Sequence, residues 1–151
     1  MVRRELREHI FKMLFQIEFI DKEDIAEHQD LYLDYLQSAT EEEKRHIKEK
    51  TLAIIEKVAE IDQILNEKTT GWKTTRMNKV DLTILRLGVY EMKWDEDIPT
   101  GVAINEAVEL AKGFSGEEGP SFVNGVLAKL TGSSDENSSG SEADPSEEKL
   151  S

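Results

Sequence analysis

The chain has no cysteine, only three prolines and two tryptophans in 151 residues, and aromatics at 7%. Without thiols there is no disulfide framework and no thiolate metal site, which fits a reducing cytoplasm. No apolar run approaches the roughly 20 residues of a membrane span. The first residues alternate charged with apolar side chains, unlike a secretory signal. No segment sustains the alternation of a β-strand, and no internal repeat is visible. Positive charge is also scarce: 19 basic residues face 32 acidic ones, for a net charge of −13. Generic nucleic-acid binding needs cations facing phosphates, so any RNA affinity must come from a local patch or be helped by a partner.

What is present is helical periodicity. The spacing predicts a first helix over 3–20, with Leu6, Ile10, Met13, Leu14 and Ile17 on one face and Arg4, Phe11 and Phe15 on a second stripe that has Lys12 and Phe19 at its far margin. Residues 24–37 read as a second helix. Thr40, with Glu43 three places on, has the pattern of a capping box and opens a long helix carrying Ile47, Thr51, Ile54, Ile55 and Val58. The pattern shifts near Glu60, which predicts a bend and a fourth helix over Ile61, Ile64 and Leu65, ended by Gly71. A strong helix follows over 78–94. The stretch 99–130 then organises the chain as two helices joined by a glycine-rich turn, 113–119. Ala103, Ala107, Leu110, Ala111 and Phe114 share one face of the first of these. Val123, Val126, Leu127 and Leu130 form the stripe of the second, with Phe122 at its edge. Gly125 is expected where two helices approach closely. The fold is therefore all-α, with about seven helices in one domain, 1–131, made of two packed bundles, 1–70 and 72–131.

Residues 132–151 are serine, glycine and acid, with Leu150 the only large apolar side chain. Such a segment cannot bury enough surface to offset its ordering entropy, and the composition predicts a disordered acidic tail.

Few residues carry candidate chemistry. Arg3, Arg4, Arg7 and Lys12 cluster near the start, interleaved with Glu5 and Glu8. Guanidinium groups suit phosphate because they donate in a planar fork; the other reading is a helix end whose charges only solvate. Phe11 is expected to be buried. Phe15 either packs on a neighbouring helix or faces solvent, where an aromatic suits splayed bases. Phe122 opens its helix off the main stripe, beside Lys129. The turn 113–119 lacks the lysine and preceding strand of a phosphate loop. Glu43 and His46 have the spacing of one half of a di-iron bundle motif, but the second copy is missing. His9 and His28 show no obvious partners. No metal, no cofactor and no catalytic residue are expected, and the chain reads as a binding protein rather than an enzyme.

The run VAINEAVELAK at 102–112, followed by FVNGVL at 122–127, resembles the NusB family of bacterial transcription antitermination factors. The resemblance continues through Trp72, Arg76, Ile84 to Arg86, Tyr90 and Glu91, and covers 3–130. It implies an RNA-binding set of Arg3, Arg4, Arg7, Lys12, Phe15, Glu118, Phe122 and Lys129. In that family an arginine-rich N-terminus contacts boxA RNA and the phenylalanine matching Phe122 stacks on RNA. Glu118, matching an acidic residue near RNA, accepts a hydrogen bond from a base or orders the turn. The resemblance also implies docking of NusE, a ribosomal small-subunit protein, by the second lobe, and assembly of an antitermination complex on RNA polymerase during ribosomal RNA synthesis. The expected setting is cytoplasmic, with no membrane partner. Two alternatives stand beside this. One is a protein–protein module with no RNA binding of its own, which the net charge favours. The other is the RNA-binding domain of ribosomal-RNA cytosine methyltransferases, whose catalytic domain needs far more chain.

Overall fold

A computed structural model describes residues 1–69 and 73–135. Within them the chain forms seven α-helices and no strand. These are α1 (Arg3–Phe15), α2 (Ile25–Asp34), α3 (Glu41–Glu56), α4 (Val58–Lys68), α5 (Lys79–Trp94), α6 (Thr100–Phe114) and α7 (Gly119–Asp135). No described helix is long and apolar enough to cross a membrane.

The chain divides into two compact units between Ala59 and Glu60, not near Gly71. The reason lies in α4, which is bonded to α5 and to the turn between them. Asp62 on α4 accepts two bonds from Arg86 on α5, from Nε at 2.9 Å and Nη2 at 2.7 Å. The Thr74 N–H donates to the Asn66 side chain at 2.8 Å. Gly71 and Trp72 themselves lie outside the described residues.

In the first unit α1 packs on α3. Ile10, Met13 and Leu14 from α1 and Ile47 and Ile54 from α3 are fully buried. Each contributes about 1.5–3 kcal/mol relative to exposure. Past Phe15 the chain tightens into a 3-10 turn, Gln16–Glu18, so α1 is shorter than its apolar pattern predicted. The capping box at α3 forms as predicted. The Thr40 N–H donates to Glu43 Oε1 at 2.9 Å, and the Glu43 N–H donates to Thr40 Oγ1 at 3.1 Å. Glu43 Oε2 also accepts from the Met1 ammonium at 2.6 Å. His9, which seemed to lack a partner, lies with Nδ1 2.7 Å from the Tyr32 hydroxyl on α2.

In the second unit α5 is central. Every residue from Asp81 to Val89 is buried, as expected of a helix covered on all sides. The Asn78 side chain caps it, accepting from the Asp81 N–H at 2.8 Å. Both α6 and α7 pack on α5 and on each other. The close approach falls at Gly88 on α5. A Cβ there would stand 2.9 Å from Leu127 Cδ1 and 3.6 Å from the Ala107 Cβ. Gly125, expected in that role, faces open space; it points away from α5 while Val126 and Leu127 point in. Phe114, expected on the buried face of α6, is 37% exposed at the last residue of that helix. At its far end α7 continues through Asp135, past the boundary expected at Gly132. Once a helix is nucleated, each further residue adds a bond. The rest of the expected tail, 136–151, lies outside the described residues.

Candidate nucleic-acid interface

The eight residues singled out for RNA fall in both units. In the first unit Arg3, Arg4 and Lys12 are exposed along α1. Arg7 is not: it is 6% exposed. Arg7 shares the side of α1 that carries Ile10, one turn along, and Leu14, two turns along, so it is buried with them. The exposed positive sector is therefore Arg3, Arg4 and Lys12. Glu5 at its edge is turned to the helix start, where its carboxylate accepts from the Val2 N–H at 3.3 Å.

The aromatics of α1 form a ladder from core to surface. Phe11 is 4% exposed, as expected. Its ring lies 6.2 Å from that of Phe15 at an interplanar angle of 25°. Phe15 in turn meets Phe19 edge-on at 5.1 Å and 68°. Phe15 is half-buried, held between a ring of its own helix and one of the turn that follows. The outermost ring is Phe19, 67% exposed, fixed by its N–H donating to the Gln16 carbonyl at 3.0 Å. Sequence reasoning placed Phe19 only at the margin of the stripe. The 3-10 turn that swings it outward leaves no mark in a helical period.

In the second unit Glu118 lies in the α6–α7 turn, Phe122 on the first turn of α7, and Lys129 two turns further along α7. The turn is anchored from beneath. The Ser115 hydroxyl donates to Asp81 Oδ1 at 2.5 Å, and the Asn78 amide donates to Asp81 Oδ2 at 3.0 Å. Gly119 sits directly over this lock. A Cβ on it would clash with Ser115 Oγ and stand 3.2 Å from Asp81 Oδ1, so only glycine fits. From there Phe122 rises on the first turn of α7, its N–H donating to the Glu118 carbonyl at 3.0 Å. Its ring is half-buried, and the Glu118 and Lys129 side chains are exposed. Phe114 stands at the other side of the same turn. Two aromatics and exposed carboxylates thus flank one rigid connection, with Lys129 two turns along α7 from Phe122. Its rigidity comes from Asp81 and Ser115, neither of which sequence reasoning singled out. A buried aspartate inside an apolar helix was the available signal, because a buried carboxylate must find donors.

Of the other residues that carried the resemblance, Arg86 is committed to Asp62 and Glu91 is 1% exposed. Tyr90 and Trp94 are half-buried, their ring centroids 5.8 Å apart, with the Lys93 ammonium 5.8 Å from the Trp94 ring. Glu43 is engaged by its cap, and among the described residues no cluster of histidines and carboxylates is placed to hold a metal.

Comparison with known proteins settles the kinship. A family model described as NusB family matches residues 4–132. The transcription antitermination protein NusB of Agathobacter rectalis is 57% identical over 130 residues, covering 86% of this chain and 99% of that one. That of Lachnoclostridium phytofermentans is 48% identical over 130 residues, covering 86% and 98%. Among solved structures, T. maritima NusB superposes with a TM-score of 0.75 at 34% identity, covering 86% of this chain and 90% of that one. With the family model spanning both units, and relatives this similar matched over almost their full length, the chain belongs to the NusB family.

Proposed function

We propose that this chain binds boxA-containing RNA together with NusE and so loads an antitermination complex on RNA polymerase during ribosomal RNA synthesis. Its role is that of a transcription antitermination protein, and the observation that carries this is the 57% identity to a protein of that name across nearly the whole of that protein. The site supports the RNA half of the reading. Arg3, Arg4 and Lys12 offer phosphate contacts on α1, and Phe15 offers an aromatic on the same helix. Phe122 and Glu118 offer a stacking ring and a hydrogen-bond acceptor at the α6–α7 turn, and Lys129 offers a cation two turns along α7. NusE docks on the second unit, and the protein works in the cytoplasm as a binding factor, without cofactor or catalysis.

A second reading has its own support. The net charge of −13 and the burial of Arg7 favour a protein–protein module that takes RNA only when NusE supplies part of the positive charge. RNA affinity measured with and without NusE across a salt series separates the two. The first reading expects saturable boxA binding by the chain alone, with affinity falling as salt rises. Binding seen only with NusE selects the second, and no binding in either mixture rejects both. Phe122→Ala checks the stack: it is expected to weaken RNA binding by about 1–3 kcal/mol. The ring is only half-buried, so its removal should cost less stability than the about 3–5 kcal/mol typical of a core phenylalanine. A large drop in melting temperature with unchanged RNA affinity would remove Phe122 from the site.

A further inference from the structure

The outward side of α2 has no part in the RNA reading. On its inner side α2 buries Gln29 and Leu33 and half-buries Ile25, Tyr32 and Leu36. The opposite side carries Glu27, His28, Leu31, Asp34 and Tyr35, all exposed. Each of the other four falls three or four residues from Leu31, so they share one helical face. Leu31 is 49% exposed and Tyr35 84%. The Tyr35 N–H still donates to the Leu31 carbonyl at 3.3 Å, so helical geometry holds to Tyr35 and the two side chains are neighbours. One exposed leucine needs no explanation. A leucine and a tyrosine side by side, with a carboxylate next to each, have the make-up of a small anchor patch.

Charge selects what covers it. Asp21, Glu23 and Asp24, with the single cation Lys22 among them, lead into the helix, and Glu27 and Asp34 flank the pair. Asp30 is taken by Lys48 of α3 at 2.7 Å. RNA would bring phosphate against these carboxylates. A second copy meeting the same face across a two-fold axis would set carboxylate against carboxylate. A cationic protein segment meets neither penalty, and complementary charge speeds its encounter.

We infer that this face of α2 docks a lysine- or arginine-rich protein segment bearing apolar side chains at helical spacing. The apolar groups cover Leu31 and Tyr35, and the cations pair with Glu27 and Asp34. The face shares no residue with the α1 cations or the α6–α7 turn, and the inference does not rest on RNA binding.

The probe is a synthetic peptide with leucine and lysine at helical spacing, titrated into the full isotope-labelled chain. Two control peptides are used: one with serine for leucine at the same charge, one with glutamate for lysine. Chemical-shift changes are expected to concentrate at residues 27–35, with both controls at least roughly tenfold weaker. Leu31→Ser with Tyr35→Ser should weaken the leucine–lysine peptide by at least roughly tenfold, as for paired hot-spot residues. Circular dichroism should not change, because both side chains are exposed. Glu27→Lys with Asp34→Lys should lose the lysine peptide and gain the glutamate one, a reversal that general loss of structure does not produce. Shifts confined to other acidic segments, or equal binding by the Leu31→Ser, Tyr35→Ser variant, overturn the inference. So does concentration-dependent dimerisation that this variant abolishes, which would make a second copy the occupant, or displacement of the same amides by RNA.

Discussion

Arg7 stands one turn along α1 from Arg3, and the two look equivalent in the sequence. Burial separates them: Arg3 is exposed and Arg7 is 6% exposed. Their replacements are therefore expected to fail in different assays. Arg3→Ala with Arg4→Ala should flatten the dependence of RNA affinity on salt, by up to roughly 0.7 in slope for each single-strand phosphate no longer neutralised. Thermal unfolding should stay put. Arg7→Ala should instead lower stability by about 1–3 kcal/mol, the range for removing a buried polar side chain and its packing. An unchanged slope in the double variant would take the α1 cations out of the RNA site. His9 gives a test of a different kind. Burial, reinforced by Lys12 and opposed by Glu8 and Glu5, holds its pKa below the ordinary 6.5. The neutral ring is favoured in the fold, beside the Tyr32 hydroxyl at 2.7 Å. The contribution is thus present above pH 6.5 and lost as pH falls from there through the folded value, because the unfolded chain then binds the proton more readily. Wild type should lose stability over that window faster than His9→Phe. Parallel pH profiles for the two would show that His9 is not linked to folding.

At the scale of elements, the α6–α7 connection depends on space more than on attraction. Gly119→Ala puts a methyl where Ser115 Oγ already stands. Either the hydroxyl leaves the buried Asp81 carboxylate or the start of α7 moves. The expected cost is about 1–3 kcal/mol, the range for overpacking, and Phe122 should be displaced with it, so RNA affinity should fall too. Gly125→Ala is the control. Nothing lies within 4 Å of the added Cβ, and an interior helical glycine becoming alanine should gain up to about 1 kcal/mol. Equal effects of the two would contradict the packing described. The same contrast marks what periodicity could tell. It placed all seven helices and the Thr40 cap, because those are set by residues three and four apart. It put the close approach at Gly125 and did not single out Gly88, because which glycine faces a neighbour depends on helix packing, which a single helix's pattern does not contain. It put Phe114 inside and left Phe19 at the margin for a related reason: a helix end or a 3-10 turn rotates a side chain out of the stripe. The family resemblance pointed to Phe122, but the Asp81–Ser115 lock beneath it spans 34 residues and carries no local signature.

For the whole molecule, the decisive quantity is the uneven distribution of charge. The chain carries −13 in total, yet exposed cations remain at Arg3, Arg4 and Lys12 on α1 and at Lys129 on α7. Residues 136–151 hold Glu136, Glu142, Asp144, Glu147 and Glu148 against Lys149, and they come directly after α7. Lys129 lies six residues before the end of that helix, about 9 Å along its axis at 1.5 Å per residue. The acids that begin at Glu136 are thus near enough for their field to reach RNA held at Lys129 when salt is low. The Debye length is about 30 Å at 0.01 M and about 8 Å at physiological salt. Removing 136–151 is expected to strengthen RNA binding a few-fold at low salt and hardly at all at physiological salt. Stability should not change, since no packed helix is shortened. Filter binding or anisotropy at the two salt concentrations, beside a thermal melt, measures all three. Weaker RNA binding after truncation would make these residues part of the RNA site, and a lower melting temperature would make them part of the fold.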